Sequence, residues 1–391
     1  MSKLNELMQS LCPDGVQYKK IKDIAEVGTG SSNGNEAQDD GDYPFFIRSQ
    51  TVKHKNEWEY DEEAIIIPGE GGIGEIYHYI NGKYAIHQRV YRIHFLDSEV
   101  SVKFAFHYFR SCFKEFIMRK AVSATVKSIR KPMIEDFIIP VPPLEVQSEI
   151  VRILDNFTEL TAELTAELTD RKKQYNYYLD KLLSFEESDA NWKSLGDMGE
   201  FTYGYAAKAK DSGDARFIRI TDINTNGKLI PTDAKFVDII EENKRFVLKK
   251  NDLLMARTGA TYGKTMIFEE DYSAIFAGFL IKLSFDKKII NPKYYWHFAQ
   301  SELFWWQANK LVSGGGQPQF NANAVREVKI PVPYPEDPDK SLEEQNRIVS
   351  ILDRFDTLVN DISSGLPAEI EARQKQYEYY RDKLLTFKEL S

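Results

Sequence analysis

The sequence predicts an α+β protein in which two mixed α/β domains are separated by two long antiparallel coiled-coil helices. Three observations support this prediction. The chain contains an internal repeat, each copy includes a long helical pattern, and short apolar strands bounded by turn residues fill the intervening segments. We place the first domain, with a short N-terminal helix, at 1–140 and the central helix at 141–190. The second domain follows at 191–331 and the C-terminal helix at 332–391.

Composition excludes several classes of protein. Of the 391 residues 42% are hydrophobic, which is enough to build folded cores. No stretch approaches 18 apolar residues, so we expect neither a signal peptide nor a membrane span, and a cytoplasmic location. Two cysteines, Cys12 and Cys112, are too few for a disulfide framework or a zinc cage.

The charge pattern leaves the partner open. A net charge of −9 argues against nucleic acid. However, residues 103–131 contain eight basic residues and one acidic residue, a net charge of +7. Such a stretch is either a solvated face or part of a DNA-binding surface, and we include its Lys127 and Arg130 among the candidates for DNA contact.

The repeat organises the whole chain. Three sequences occur twice in the same order: Ile-Pro-Val-Pro at 139–142 and 330–333, Gln-x-x-Ile-Val-x-Ile-Leu-Asp at 147–155 and 345–353, and Lys-Gln-Tyr-x-Tyr-Tyr-x-Asp-Lys-Leu-Leu at 173–183 and 375–385. Chance does not produce three ordered matches of this length. The chain is therefore a tandem duplication with a unit near half its length.

Each repeated tract carries apolar residues at steps of three and four, which predicts a coiled-coil seam. The predicted helix–helix interface consists of Ile150, Ile153, Phe157, Leu160, Leu164, Tyr175, Tyr178 and Leu182 in the first tract, and of Ile348, Ile351, Phe355, Leu358, Ile362, Tyr377, Tyr380 and Leu384 in the second. The first helix, predicted over 144–185, would span roughly 60 Å. Gly365 and Pro367 should kink or briefly break the second.

Two seams in one chain most simply bury each other, and a two-fold relation between the copies makes the helices antiparallel. A short apolar pattern at Leu4, Met8 and Leu11 resembles the end of these helices. We therefore expect the N-terminus to pack near the C-terminal helix, which would complete a pseudo-two-fold, pseudo-circular arrangement.

Both domains are predicted to contain short strands and one closing helix. The predicted strands are 43–47, 64–68, 91–95, 217–220, 253–256 and 275–283, and the predicted helices are 102–118 and 292–308. Outside the repeated segments the two domains differ almost completely in sequence.

Three motifs suggest enzymes but lack the required context. Residues 69–74 fit the dinucleotide pattern Gly-x-Gly-x-x-Gly, yet the following residues predict a strand and a turn rather than a helix. Residues 259–265 resemble a P-loop with one residue too few. Asn291-Pro292-Lys293-Tyr294 resembles an amino-methyltransferase loop without its second proline, and Pro292 more plausibly starts a helix. We predict no catalytic residues and no metal site.

The glycine loops fit better as loops facing a DNA groove, since glycine lets the backbone approach a phosphate or a base edge. Arginine and glutamine pair well with guanine and adenine. Besides Lys127 and Arg130, the candidates for DNA contact are Arg48, Gln50, Gly71, Gly72, Gln88, Arg89, Arg219, Arg257, Thr258, Lys264, Gln317 and Gln319. Plain turns and ordinary surface residues remain the alternative for each of them.

The duplicated Ile-Pro-Val-Pro step, the Gln…Ile-Leu-Asp helix start and the Tyr-Tyr…Asp-Lys-Leu-Leu helix end resemble the specificity subunits of type I restriction-modification enzymes over essentially the full length. The tandem Thr-Ala-Glu-Leu at 161–168 is most similar to the IC subgroup.

The resemblance implies two target-recognition domains that each read one half of a bipartite DNA site, and helices that set the spacer and dock two methyltransferase subunits. It implies no reaction and no cofactor in this chain. S-adenosylmethionine, ATP and Mg²⁺ would belong to the modification and restriction/translocase subunits.

Two alternatives of other classes remain at this point. One is a scaffold or adhesion protein whose coiled coil joins two ligand-binding domains, which suits the charge of −9 but not the duplicated motifs. The other is a self-sufficient methyltransferase, for which the glycine-rich cofactor loop followed by the amine-methylating tetrapeptide is missing.

Overall fold

The computed structural model describes residues 2–120, 128–186, 190–314, 316–361 and 363–390. The chain divides into two compact units, one formed by 1–163 with 370–391 and the other by 164–369. Each unit combines a globular domain with parts of the long helices. The division falls in the middle of the Thr-Ala-Glu-Leu tandem.

The first unit is built around one six-stranded sheet. Its strands are β1 (Gln17–Lys20), β2 (Ala25–Thr29), β3 (Tyr43–Phe46), β4 (Lys53–Lys55), β5 (Tyr60–Pro68), β6 (His78–Ile86), β7 (Val90–Phe95) and β8 (Ile138–Val141), and its helices are α1 (Ser2–Leu11), α2 (Ile21–Ile24), α3 (Val102–Tyr108), α4 (Lys114–Lys120), α5 (Lys131–Glu135) and the first part of α6 (Leu144–Leu183). The sheet has the order β2-β7-β5-β6-β3-β4, with β3 parallel to β6 and the other pairs antiparallel.

Strand β5 explains why the sheet is stable. Successive side chains of a strand point to opposite faces. Ile65 and Ile67 pack with α3 on one face, while Ala64 and Ile66 pack on the other, and all four are fully buried. Both faces are therefore covered, which is why this strand is a continuous apolar run.

The second unit contains β9 (Ala190–Ser194), β10 (Gly199–Tyr203), β11 (Ala215–Ile218), β12 (Phe236–Val237), β13 (Asp252–Ala256), β14 (Thr265–Phe268), β15 (Ala274–Phe276), β16 (Leu280–Phe285) and β17 (Lys329–Pro333), with α7 (Pro292–Phe298), α8 (Glu302–Leu311), α9 (Ala322–Glu327) and α10 (Pro338–Asn360); α11 (Leu366–Leu384) begins here and ends in the first unit. Its sheets have the orders β10-β16-β13-β14 and β12-β11-β15.

The two domains share one strand order. The sequence β2-β7-β5-β6 corresponds to β10-β16-β13-β14, and β3-β4 corresponds to β11-β12. Where the first domain has the single strand β6, the second divides it into β14 and β15. Each Ile-Pro-Val-Pro segment also forms an equivalent strand, β8 paired with β1 and β17 paired with β9. The predicted fold class, two mixed α/β domains with long helices, is confirmed.

Two predicted elements were wrong in extent. Residues 275–283 form two strands, because a turn at Ala277 interrupts them with a hydrogen bond from the Leu280 amide to its carbonyl at 2.8 Å. Residues 292–308 form two helices, because Ser301 caps α8 by accepting a hydrogen bond from the Phe304 amide at 3.3 Å. The predicted helix 102–118 is continuous but contains a π-helical turn at Phe109–Phe113.

The long helices follow the prediction. Helix α6 has 40 residues, and the second tract is interrupted between α10 and α11, at the segment that ends in Gly365. In the first unit Phe157 stacks on Tyr380, and in the second unit Tyr178 stacks on Phe355, with ring centroids 5.5 and 5.3 Å apart. The N-terminal part of α6 thus contacts α11, and its C-terminal part contacts α10, which comes earlier in the chain. This is the contact order of an antiparallel pair.

The buried stripe of these helices agrees with the predicted seam only in part, since Ile150 and Ile348 are buried as predicted but other positions differ. Leu154 and Leu352 are fully buried, although neither was predicted, whereas Leu358 is 36% exposed. Leu160, Leu164 and Ile351 are half-buried, and Ile362 lies outside the described residues. The reason is that each helix also packs on its own globular domain, so the deepest stripe faces residues such as Phe104 and Tyr294.

The N-terminal segment packs against the C-terminal one, as predicted. Leu4 and Met8 of α1 share a core with Tyr377 and Leu384 of α11, all within the first unit. Beyond the helix, the Val16 amide donates to the Lys388 carbonyl at 2.9 Å. The third predicted residue of this pattern, Leu11, is 44% exposed.

The difference between Leu352 and Leu358 leads to a matched stability test in α10. We expect Leu352→Ala to lower the free energy of unfolding by about 2–5 kcal/mol, because it empties a fully buried site. Leu358→Ala should cost less than about 1 kcal/mol, since its side chain is partly in water and alanine favours the helix. Chemical denaturation of both variants measures the difference. An equal loss of unfolding free energy in the two variants would instead support the helix–helix interface predicted from the sequence.

Candidate nucleic-acid interface

Two glycine loops leave the ends of buried strands at equivalent places. The loop 69–74 follows β5 and the loop 257–263 follows β13. Gly71 and Gly259 have φ of +73° and +67°, conformations that favour glycine. Both loops lead into strands, β6 and β14, rather than into helices. A phosphate in either loop would therefore lack a helix N-terminus to bind, which agrees with the interpretation that neither is a nucleotide loop.

In the first unit the structure brings several candidates together. The Arg48 and Arg89 side chains both donate to Glu70, which follows directly on β5. Gln88, exposed in the same turn between β6 and β7 as Arg89, donates to Asn33 at 2.8 Å. Arg48, Glu70, Gly71 and His87 are among the residues that line an open cleft of about 300 Å³.

Three further candidates of the first unit are placed less closely. Gly72 is exposed in the glycine loop, and Gln50 is exposed two residues beyond Arg48. Arg130 is exposed. It lies beside this loop because the amide of the preceding Ile129 donates to the Gly69 carbonyl at 2.8 Å. Lys127 lies outside the described residues.

In the second unit the glycine loop is joined to the segment 313–319. Thr258 forms a β-bridge with Gln319, and the Gly259 amide donates to the Pro318 carbonyl at 3.0 Å. The Arg257 guanidinium donates to the Gly278 carbonyl at 3.1 Å and lies between the exposed rings of Tyr203 and Phe279. An arginine with two exposed aromatic rings can contact both phosphates and unstacked bases.

The remaining candidates of the second unit have different environments. Gln317 is exposed, Lys264 is half-buried at the end of the loop, and Thr258 is buried beneath the surface. Arg219 forms a two-point ion pair with Asp222, whose side chain is only 3% exposed. Contact between Arg219 and a base would require this pair to open.

The basic stretch 103–131 is partly neutralised by acids. Lys114 pairs with Glu75 at 2.7 Å, and Lys103 pairs with Asp155 at 3.3 Å. Among the described residues no group of three histidine, cysteine, aspartate or glutamate side chains is arranged to hold a metal ion. In that same part of the chain no helix is both long and apolar enough to cross a membrane.

Sequence reasoning missed a buried network that fixes the first domain to α6. The Asp155 carboxylate accepts from His107 Nε2 at 2.8 Å, and His107 is 2% exposed. Gln147, fully buried, accepts from the Ser101 amide at 2.8 Å and donates to the Glu99 carbonyl at 2.7 Å. These contacts join α3 and the residues just before it to the first part of α6.

The second domain repeats this network on α10. Asp353 accepts from His297 Nε2 at 2.8 Å and from Lys293 at 3.0 Å. Gln345 accepts from the Asn291 amide at 2.9 Å and donates to the Ile289 carbonyl at 2.9 Å. The signal was present in the sequence: Lys-x-x-x-His occurs at 103–107 and 293–297, and the partner residues Gln and Asp belong to the repeated helix start.

The charge state of the second network follows from its burial. Burial lowers the pKa of His297, against the opposing effect of Asp353, so the ring is neutral. Burial disfavours the charged form of Asp353, but hydrogen bonds from His297 and Lys293 outweigh it and hold its pKa below the usual value. Because the carboxylate only accepts, Nε2 carries the proton of the ring, and Nδ1 faces the Tyr175 hydroxyl at 3.4 Å.

Comparison with known proteins gives a consistent result. The family model described as type I restriction modification DNA specificity domain matches residues 13–171 and 187–372. A putative type I restriction enzyme specificity subunit of Haemophilus influenzae is 30% identical over 388 residues, which cover 95% of this chain and 96% of that one. The EcoR124I/EcoR124II specificity subunit of Escherichia coli is 39% identical over 260 residues, 63% of this chain and 61% of its own length.

Solved structures agree on the fold. A crystal structure of a type I restriction-modification S subunit from M. genitalium superposes with a TM-score of 0.61 at 16% identity, covering 95% of this chain and 96% of that chain. Together these matches favour the specificity-subunit interpretation over the scaffold and over the self-sufficient methyltransferase.

The buried histidines predict a pH dependence that can be assigned to each domain. A histidine whose pKa is lowered in the folded state stabilises it fully above about pH 6.5, and this contribution is lost as the pH falls. We expect the protection of α7 amides against hydrogen exchange, corrected for the intrinsic rate, to fall between pH 7.5 and 5.5 by at most about tenfold per unit.

His297→Phe should flatten this profile for α7, whereas the matched variant His107→Phe should flatten it for α3 alone. Asp353 does not interfere, because hydrogen bonds from His297 and Lys293 lower its pKa and so move its titration further from this pH range. An unchanged α7 slope in His297→Phe would contradict the assignment.

Proposed function

The chain belongs to the type I restriction-modification DNA specificity family, and from this premise we propose that it is the subunit that selects the DNA site and catalyses no reaction itself. Each target-recognition domain reads one half of a bipartite site in double-stranded DNA. The helices set the spacer between the half-sites and dock two modification subunits, which restriction/translocase subunits join.

One observation carries this proposal: two domains with the same strand order present different side chains at and around equivalent glycine loops. The first presents Arg48 and Arg89 around a carboxylate, and the second presents Arg257 between aromatic rings. A constant scaffold with variable loops suits two modules that recognise different sequences.

The partners supply the chemistry in this proposal. S-adenosylmethionine would bind to the modification subunits, which methylate adenine, and ATP and Mg²⁺ to the restriction/translocase subunits. We infer a cytoplasmic location without membrane association, since the assembly acts on intracellular DNA. An acidic chain can serve as a DNA reader in such an assembly when basic partners share the duplex.

A domain exchange tests the division of labour. The complex with its modification subunits is purified, and methylated sites are mapped on a randomised DNA library. Replacing residues 191–331 by the domain of another family member should change one half-site and leave the other intact. A simultaneous change in both half-sites would contradict modular recognition, and methylation without any sequence preference would contradict the proposed function.

The Thr-Ala-Glu-Leu tandem predicts how the spacer is set. Residues 161–168 lie within the uninterrupted helix α6. One further unit would add about 6 Å and rotate the helix by about 40°, comparable to the turn of one base pair. We expect this insertion to lengthen the preferred spacer by one or two base pairs, measured by methylation of a spacer-length series.

Inserting two alanines at the same point is the matched control. This insertion rotates the seam by about 200° and should therefore abolish assembly or methylation instead of shifting the preference. An unchanged preferred spacer after the four-residue insertion would show that helix length does not set the distance.

A further inference from the structure

Glu70 lies between two arginines of the first domain that come from different loops. Its Oε2 accepts from Arg48 Nη1 at 3.1 Å and from Arg89 Nη1 at 2.8 Å. The three side chains are 46%, 38% and 57% exposed in the order Arg48, Glu70, Arg89. They therefore form a surface group with a net charge of +1 rather than a buried structural pair.

The backbone around this group is closely joined, so the three side chains do not meet by chance. The Gly69 amide, next to Glu70, donates to the Arg89 carbonyl at 2.9 Å. On the other side, a Cβ at Gly71 would lie 3.4 Å from the Arg48 carbonyl oxygen, and the φ of +73° at Gly71 requires glycine or strain. The three loops thus present Arg48, Glu70 and Arg89 from one closely packed surface.

His87 adds a directed donor to the same cleft. The ring is 7% exposed, and its Nδ1 accepts from the Arg89 amide at 3.0 Å. Burial, together with the charges of Arg48 and Arg89, lowers its pKa, so the ring is neutral and its proton is on Nε2. The cleft therefore places the donors Arg48 and His87 beside the carboxylate acceptor Glu70.

This combination separates the possible ligands. A phosphate is attracted by arginine, but a carboxylate within the same group repels the phosphate and therefore weakens a phosphate-binding site. A carboxylate becomes useful when the ligand presents an amino group. In the major groove a G·C pair presents guanine O6 and N7 as acceptors beside the cytosine N4 amino group, and carboxylates accept from this amino group.

Resting on the proposed function, we propose that Glu70 is a specificity-determining residue and that the Arg48–Glu70–Arg89 group reads one G·C pair in the half-site of the first domain. Arg89, the more exposed arginine, donates to guanine O6 and N7. Glu70 accepts from cytosine N4, and Arg48 remains on Glu70, where it balances the charge and orients the carboxylate.

The test compares Glu70→Ala with Glu75→Ala in the complex with modification subunits. Glu75 is the matched control, because it is an exposed acid directly after the same loop. Its carboxylate pairs with Lys114. Methylation is mapped on a library randomised in both half-sites, and the domain exchange described above identifies the half-site of the first domain. The wild type should require G·C at one position there.

Glu70→Ala should reduce discrimination at that position by about fivefold or more, since a good side chain–base pair is worth ~1–3 kcal/mol. All other positions should be unchanged, and Glu75→Ala should behave like the wild type throughout. Arg89→Lys, which keeps the charge but loses the paired donors, should relax the same position.

Three results would overturn the inference while leaving the proposed function intact. One is a wild-type half-site without a required G·C pair. Another is unchanged discrimination in Glu70→Ala. The third is a uniform gain in binding to every sequence with a steeper salt dependence, which would identify a phosphate contact. A wild-type complex without any sequence preference would instead contradict the proposed function itself.

Discussion

The orientation of each globular domain depends on a buried polar contact with a long helix. Gln147 and Gln345 are fully buried and bind main-chain groups that precede the first helix after the sheet. A buried polar group that loses its partner costs about 1–3 kcal/mol, and apolar packing alone has no such directional requirement. The network therefore selects one orientation of each domain on its helix out of many that would bury similar apolar area.

The repeated residues that build the scaffold are separate from the candidate DNA-contacting residues, which explains how the chain can keep its architecture while the recognised sequence changes. The repeated residues build the strand β8 or β17 and the helix contacts, and the same strand order recurs in both units. The candidates for DNA contact that the structure describes lie outside the helices and strands. Loops tolerate substitution because they contribute little to the core, so recognition can vary without loss of the fold.

The helices show how far periodicity can be trusted. Steps of three and four predicted the helical tracts correctly, and Phe157 and Phe355 stack on tyrosines as an antiparallel seam requires. Periodicity did not predict which apolar residue is deepest, because a helix that packs on both another helix and a sheet domain has two apolar faces. Leu352 belongs to the second face, and Leu358 is left partly in water. The predictions of one strand at 275–283 and one helix at 292–308 were wrong for a local reason, since one turn and one capping serine were overlooked.

The sequence alone determined the duplication, the two long helical tracts, the interruption near Gly365 and the meeting of the chain ends, because repeats and apolar spacing are written along the chain. It also identified arginines and glycine loops as candidates for DNA contact. Tertiary structure decided which of them lie together. Glu70 joins Arg48 and Arg89 across 22 and 19 residues, and His107 meets Asp155 across 48. Such pairs arise from how loops and helices meet in three dimensions, and no local spacing rule encodes that meeting.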